Sequence, residues 1–86
     1  MVAALTYRRP TELATLLPRL VDQAQRAAVR ASVLVIDNDP DGGARATCEG
    51  QPIRYVHEPR PGIAVARNRA LDESPDADLL VFIDDY

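Results

Sequence analysis

The chain has 86 residues, of which 47% are hydrophobic and 27% charged, as in an ordinary small globular domain. Its formal net charge of −3 argues against a nucleic-acid surface, which needs clustered positive charge. The one cysteine, Cys48, excludes an internal disulfide and a cysteine-based metal centre and fits a reducing, cytoplasmic compartment. We expect no membrane span and no signal peptide, because no apolar run approaches about 18–20 residues.

The first third of the chain predicts a strand followed by a helix. Residues 2–7 form an apolar run that ends in polar residues, as in a buried strand. Pro10 suits the first position of a helix, and Thr11 is a competing N-cap. Pro18 predicts a kink or two abutting helical pieces, and the helix is expected to fade through residues 27–30. The apolar stripe of this helix has the spacing i, i+3, i+4, i+7, i+8, i+11 and consists of Leu13, Leu16, Leu17, Leu20, Val21 and Ala24.

The middle of the chain predicts two further strands joined by a loop. Residues 32–37 are apolar until they end in the carboxylate of Asp37, and residues 38–43 are dense in turn formers. A short helical turn is compatible with residues 44–52. Residues 53–57 alternate weakly and predict a third strand at an edge of the sheet. His57 lies in this strand with no catalytic partner, which favours a structural role.

The last third predicts a helix and a strand that ends in two carboxylates. The helix begins near Gly62 or Ile63, after a loop with two prolines, and stops before Ser74. The last strand is expected to start near Asp78, and five apolar residues at 79–83 predict burial on both faces. Unpaired buried charge is costly, so the two aspartates that follow belong where the strand meets solvent. There they either hold a hard cation or a sugar hydroxyl, or form an ordinary acidic turn.

The order strand, helix, strand, strand, helix, strand predicts an α/β fold. Both helical connections are long enough for right-handed crossovers, and most strands are apolar throughout, which indicates a three-layer Rossmann-like parallel sheet covered on both faces. Such sheets bind ligands beyond the carboxyl ends of their strands, at a switch in strand order. Polar residues stand at several of these ends, namely Thr6, Tyr7, Asp37, Asp84 and Asp85.

Four short stretches, in chain order, match a known set of motifs. With the family pattern in parentheses, they are Thr6-Tyr7-Arg8-Arg9-Pro10 (T-Y-N-R-P), Val35-Ile36-Asp37-Asn38 with Asp41-Gly42 (V-D-N-x-S-x-D-G), Gly62-Ile63-Ala64-Val65-Ala66-Arg67-Asn68 (G-x-A-x-A-R-N) and Phe82-Ile83-Asp84-Asp85 (F-L-D-D-D). Together they resemble the nucleotide-binding half of the family 2 glycosyltransferases of the GT-A fold. Residues 1–86 are therefore interpreted as one partial donor domain. With the clustering of strand ends, the resemblance predicts the strand order 3-2-1-4.

The resemblance implies a nucleotide-diphosphate sugar donor and a divalent cation, Mg²⁺ or Mn²⁺. It implies that Thr6 and Tyr7 line the base and ribose pocket, with Tyr7 able to stack, and that Asp37 reads an N–H edge of the base. Asp84 is expected on the ribose or the metal, and Asp85 on the metal. The nucleotide-binding residues that the resemblance implies are Thr6, Tyr7, Arg8, Asp37, Asn38, Arg67 and Asp84.

Two departures from the family pattern qualify this interpretation. Tyr86 stands where the family has a third acidic residue. If the third acidic residue of the family pattern is the metal ligand, this chain lacks it; if the second is the ligand, the corresponding residue here is Asp85. Family members also continue beyond this point with the acceptor site and the catalytic base. We therefore assign no catalytic residue and no acceptor. We expect the chain to be incomplete and inactive alone, and its full-length form to lie in the cytoplasm or at a membrane surface.

Other interpretations remain open at this stage. A non-catalytic nucleotide-binding module or a remnant has the same motifs up to Tyr86. A flavodoxin-like or receiver-like signalling domain is disfavoured because the chain contains no lysine and because a receiver-like fold does not require the Gly62 to Asn68 run. Asp37 alternatively caps the turn after its strand, and Arg67 is alternatively a solvated charge. Asn38 and Asn68 are equally compatible with turn and packing roles.

Overall fold

The computed structural model describes residues 1–26, 31–77 and 79–86. Its helices and strands are β1 (Val2–Thr6), α1 (Pro10–Arg26), β2 (Val33–Asp37), α2 (Arg45–Cys48), β3 (Arg54–His57), α3 (Ile63–Asp72) and β4 (Val81–Asp85). Every predicted strand and both long helices are present, and α2 is the short helical turn. The predicted fading of the first helix at residues 27–30 and the predicted strand start at Asp78 lie outside the described residues.

The described strands form one parallel sheet with the order β3-β2-β1-β4, which confirms the predicted Rossmann-like arrangement. α1 connects β1 to β2 in one direction across the sheet, and α3 returns from β3 to β4 in the other. The direction of connection therefore reverses between β1 and β4. Such a switch point leaves a crevice at the carboxyl ends of the two strands.

Two hydrophobic clusters lie on the two faces of the sheet. On one face, Leu13, Leu17 and Leu20 of α1 pack with Ala4 and Val35. On the other, two small residues of α3 pack close to the central strands, in a cluster formed by Ala66, Ala70, Ala3, Leu5, Leu34 and Ile36. The apolar stripe predicted for α1 is thus the buried one. Because both faces are covered by helices, the central strands are apolar throughout.

β4 is more exposed than its apolar run predicts. Leu79 is 70% exposed and precedes the strand, and Val81 is 46% exposed. Phe82 and Ile83 are half-buried, each against a different face of the sheet. The prediction of a strand buried on both faces is wrong because β4 lies at the end of the described sheet and pairs there with β1 alone.

α1 begins at Pro10 and continues through Pro18 as one helix, so the alternative of two helical pieces is wrong. The backbone N–H of Leu13 donates to the carbonyl of Arg9 at 2.9 Å, which makes Arg9 the N-cap in place of Thr11. Pro18 is tolerated because it lies on the exposed side of the helix, where water reaches the carbonyl that lacks a donor. In the part of the chain that the structure describes, no helix has the length and apolarity needed to cross a membrane.

Replacing Pro18 by alanine is expected to raise the free energy of unfolding by about 1–2 kcal/mol, because alanine restores the missing backbone hydrogen bond and favours the helix interior. Urea denaturation monitored by far-ultraviolet circular dichroism measures the change. Thr15→Ala, on the same exposed side, is the control with an effect below about 0.5 kcal/mol. A lower denaturation midpoint for Pro18→Ala would contradict this account of α1.

Candidate functional site

The strands of the sheet end in a row of polar side chains. His57 pairs with Asp37, and Thr6 pairs with both Asp37 and Asp85, so these four lie side by side on the face covered by α1. Asp84 pairs with Leu5 one position earlier and projects toward α3, because successive residues of a strand alternate between faces. Asp37 and Asp84 stand two strand spacings apart, about 10 Å, so the strand ends meet around one crevice.

Asp37 is fully buried and accepts three hydrogen bonds. Its Oδ1 accepts from the backbone N–H of Asp39 at 3.1 Å, and its Oδ2 accepts from the N–H of Ala44 at 2.9 Å and the hydroxyl of Tyr55 at 2.6 Å. The carboxylate therefore holds the loop after β2 in place and anchors that loop to β3. In this conformation its oxygen atoms face protein donors beneath the crevice.

The loop held by Asp37 presents a second carboxylate, Asp39. The backbone N–H of Asp41 and the Nε of Arg8 donate to its Oδ1 at 3.0 and 3.4 Å. These contacts, led by the Asp41 N–H, hold the pKa of Asp39 below its ordinary value. A Cβ atom on Gly43 would lie 2.6 Å from Asp39 Oδ2, so a side chain there would displace the Asp39 carboxylate. His57 Nε2 contacts the carbonyl of Asp39 at 2.7 Å.

Beneath this loop, Tyr55 and Cys48 lie in a protected environment next to Asp37. Burial, followed by donation of its hydroxyl to the Asp37 carboxylate, raises the pKa of Tyr55 well above its usual range. Burial, with the nearby charge of Asp37, raises the pKa of Cys48 to about 11. The thiol is therefore protonated and unreactive at neutral pH. The guanidinium of Arg45 covers the Tyr55 ring at 4.9 Å.

Where β1 and β4 end, three polar side chains meet on the α1 side of the sheet, namely Thr6, Arg9 and Asp85. The Thr6 hydroxyl donates to Asp85 Oδ2 at 3.2 Å, and the Arg9 Nε donates to Asp85 Oδ1 at 3.1 Å. The backbone N–H of Tyr7 donates to the Asp85 carbonyl at 3.1 Å. Asp85 is thus fixed by neighbours from β1 and from the start of α1, and its side chain is 11% exposed.

On the opposite face, Asp84 pairs with Arg67 of α3. The Arg67 Nη2 lies 2.7 Å from Asp84 Oδ2, and both side chains are more than a third exposed. Solvent screens such a pair, so it contributes little to stability. Both groups are therefore accessible to a ligand in the crevice.

A ring stack and a hydrogen bond connect the residues that follow β1, β2 and β4, namely Tyr7, Asn38 and Tyr86. The rings of Tyr7 and Tyr86 stack with centroids 5.8 Å apart, and the Tyr86 hydroxyl donates to Asn38 Oδ1 at 2.8 Å. The guanidinium of Arg8 lies 5.3 Å from the centroid of the Tyr7 ring. Arg8 has a φ of 51°, in the left-handed region that costs a non-glycine residue about 1–2 kcal/mol. This turn carries the chain from β1 around the crevice.

Glu58 is a site-supporting residue that the sequence patterns did not single out. It is 1% exposed, and the Arg60 side chain and the backbone N–H of Arg60 donate to it, with Arg69 at 3.5 Å. The hydrogen bonds and the positive charge of Arg60 lower the pKa of Glu58 to about 2. The Asn38 side chain donates to the carbonyls of Glu58 and Arg60 at 2.9 and 2.7 Å. Glu58 and Asn38 therefore tie the β3–α3 loop to the end of β2.

The structure gathers the residues singled out from the sequence into one region, at two depths. Those that are at least partly exposed are Tyr7, Arg8, Arg67, Asp84 and Asp85, whereas Thr6, Asp37 and Asn38 are buried. The sequence patterns missed Arg9, Asp39 and Glu58. Arg9 and Asp39 join the site through contacts with distant segments, to Asp85 and Arg8 respectively, whereas Glu58 stands out by its burial. A separate cavity of about 600 Å³ lies near the amino ends of the strands, between Met1, Ser32 and the segment after α3.

Among the residues that the structure describes, no group of three or more histidine, cysteine, aspartate or glutamate side chains is placed to hold one metal ion. Asp84 and Asp85 project from opposite faces of β4, so they do not form a two-carboxylate chelate on the strand. Mg²⁺ is often held by one carboxylate together with phosphate oxygens and water. A single carboxylate, Asp84 or Asp85, fits that mode of binding.

The chain is similar to the succinoglycan biosynthesis protein ExoM of Rhizobium meliloti (strain 1021). The two are 43% identical over 90 aligned positions, which cover 98% of this chain and 28% of that protein. The chain thus spans less than a third of the length of this curated relative. No family model matches the chain, and no solved structure matches it significantly.

Proposed function

We propose that residues 1–86 form the donor-binding part of a family 2 glycosyltransferase, which binds a nucleotide-diphosphate sugar with a divalent cation for transfer of the sugar to an acceptor. The observation that carries the proposal is the clustering of Thr6, Tyr7, Asp84 and Asp85 at the switch point between β1 and β4. The similarity to a protein named for the biosynthesis of a glycan supports it. The motifs that resemble this family are the ones that build the crevice.

In this proposal, the base and ribose lie over the ends of β1 and β2. Tyr7 stacks on the base when the base replaces Tyr86 or Arg8, which lie against its ring in this conformation. Asn38 and the loop that Asp37 holds shape the base pocket. Asp37 contributes by fixing this loop, because its oxygens already accept three hydrogen bonds. The resemblance implies a contact between Asp37 and the base. Such a contact would require the base to replace one of these three donors.

The diphosphate lies toward β4, where Arg67 supplies positive charge beside Asp84, and Arg8 adds positive charge from the side of Asp39, in the loop after β2. Asp85, or Asp84 from the other face, holds Mg²⁺ or Mn²⁺ together with phosphate oxygens. A bound divalent cation supplies Lewis-acid stabilisation of the charge that develops on the departing diphosphate. The chain's own residues bind and orient the donor. A cytoplasmic location fits both a sugar-nucleotide donor and the single thiol.

Calorimetric titration of the chain with UDP, with and without Mn²⁺, tests the proposal. We expect UDP and Mn²⁺ each to raise the affinity of the other by the same factor, as thermodynamic linkage requires. Asp85→Asn is expected to weaken UDP binding about tenfold or more when Mn²⁺ is present and little when it is absent. Asp37→Asn is expected to weaken binding in both conditions because the loop loses its anchor.

Asp22→Asn is the matched control for these variants. It also removes one carboxylate, but Asp22 lies on α1 in an exposed pair with Arg26, away from the crevice. Its UDP affinity should equal that of the wild type. Absence of UDP and other nucleoside diphosphate binding at millimolar concentration with either metal would overturn the proposal, and equal metal dependence of Asp37→Asn and Asp85→Asn would overturn the division of roles.

A further inference from the structure

Arg9 is held rigidly at the switch point by its backbone. It is the N-cap of α1, and its carbonyl accepts the first hydrogen bond of the helix from Leu13. Pro10 follows with a fixed φ, which restricts the chain at this position. From here the side chain crosses from the end of β1 to Asp85 at the end of β4, with an Nε to Oδ1 distance of 3.1 Å.

The Arg9 guanidinium uses only part of its donor capacity in this contact. Within residues 1–26, 31–77 and 79–86, its hydrogen bond to Asp85 is made by Nε, and its Nη2 lies 4.0 Å from Glu12 Oε1, beyond hydrogen-bond distance. The side chain is 41% exposed. Since a guanidinium carries five N–H donors in a planar fork, the Nη groups are available to a second anion while Nε keeps its carboxylate.

The charges around the crevice favour a second anion at this position. Asp85 alone would repel a diphosphate, and Arg9 offsets that charge at the carboxylate itself. Two other arginines near the crevice have different contacts. Arg8 lies over the Tyr7 ring and donates from Nε to Asp39, and Arg67 donates from Nη2 to Asp84. Arg9 therefore has the geometry that best joins a carboxylate on β4 to a phosphate in the crevice.

We infer that Arg9 binds the diphosphate of the donor directly, through its Nη groups, while its Nε holds Asp85. The inference rests on the proposed function, and assigns to Arg9 a role that the motifs did not. Arginine forks bind phosphate oxygens in paired hydrogen bonds. The contact gives selectivity for nucleoside diphosphates over the corresponding nucleoside, because the nucleoside lacks the group that Arg9 contacts.

Calorimetric titrations of the full chain with UDP and with uridine, in Mn²⁺, test the inference. Arg9→Gln is expected to weaken UDP binding about tenfold, as for the loss of one charge-assisted contact, and to leave uridine binding unchanged. Arg9→Lys, which keeps the charge, should recover part of the UDP affinity. Arg19→Gln, which removes an exposed arginine of α1, is the matched control and should bind both ligands as the wild type does.

A double-mutant cycle with Asp85→Asn separates direct contact from an effect through Asp85. If Arg9 contacts the diphosphate, Arg9→Gln should still weaken UDP binding severalfold in the Asp85→Asn background. If the effect vanishes there, or if UDP and uridine binding weaken equally, the inference is overturned while the proposed function stands. If the wild-type chain binds neither ligand, the proposed function fails and the inference fails with it.

Discussion

Replacing Asp37 by alanine is expected to lower the free energy of unfolding by about 3 kcal/mol, because the substitution leaves buried donors without an acceptor. The donors are the backbone N–H groups of Asp39 and Ala44 and the hydroxyl of Tyr55. A domain of this size has a total stability of roughly 4–13 kcal/mol, so the loss is a large share. The loop that the carboxylate anchors is expected to lose its conformation first.

Urea denaturation of the wild type and three variants measures this effect. Asp84→Ala is the matched control: Asp84 is a strand-end aspartate, but 39% exposed and paired only with Arg67 in the described residues, so the expected change is below about 1 kcal/mol. Tyr55→Phe removes a single donor and should cost about 1 kcal/mol. An Asp37→Ala variant as stable as Asp84→Ala would show that the buried hydrogen bonds do not hold the loop.

The stabilisation that Glu58 provides is expected to disappear in acid. The pKa of Glu58 is lowered to about 2 from an ordinary value of 4.5, so the folded state binds its proton less readily than the unfolded chain. The contribution is therefore fully present above pH 4.5 and is lost as the pH falls toward 2. Because Arg60 is largely exposed, we expect a contribution of about 1–3 kcal/mol at neutral pH.

The difference in unfolding free energy between the wild type and Glu58→Gln isolates this contribution from those of other carboxylates. It should be largest at pH 6–7 and should shrink steadily below about pH 4.5. Glu49→Gln, at an exposed position, should show no such pH-dependent difference. A difference for Glu58→Gln that is constant from pH 7 to pH 3 would mean that its charge does not stabilise the fold.

The strands followed from local patterns that the structure repeats, and their order followed from the resemblance together with the clustering of strand ends. Apolar runs that end in carboxylates marked β2 and β4, and the stripe from Leu13 to Ala24 marked the buried face of α1. Parallel topology then brought Thr6, Asp37 and Asp85 into one row, because strands that run in the same direction end at the same edge of the sheet. The elements and their parallel arrangement were predictable because they depend on periodicity and on connection lengths.

The partners of the site residues were not predictable in the same way. Whether Asp37 faces a ligand or the protein depends on Tyr55 and Ala44, which reach it from β3 and from the loop before α2. The burial of Glu58 was not predictable from the sequence around it, because its partners Arg60 and Arg69 look like ordinary surface arginines. The burial of β4 was overestimated because an apolar run does not reveal its position in the sheet.

Tyr86 illustrates the same limit at the acidic motif. Sequence comparison with the family pattern marked it only as a missing carboxylate. In the structure it stacks on Tyr7 and donates to Asn38, and its pKa is raised, first by burial and then by the charge of Asp84. Its contacts lie across the ends of β1 and β2, where the proposed base pocket is.

The central claim is that a nucleotide binds at the carboxyl ends of β1 and β4. Amide chemical-shift mapping with a ¹⁵N-labelled chain, titrated with UDP in Mg²⁺, tests it most directly. We predict that the largest shifts fall at residues 6–9, 37–39 and 84–86, and that residues 73–77, beside the cavity at the amino ends of the strands, do not move. Saturable shifts confined to that cavity, with residues 6–9 and 84–86 unchanged, would contradict the account.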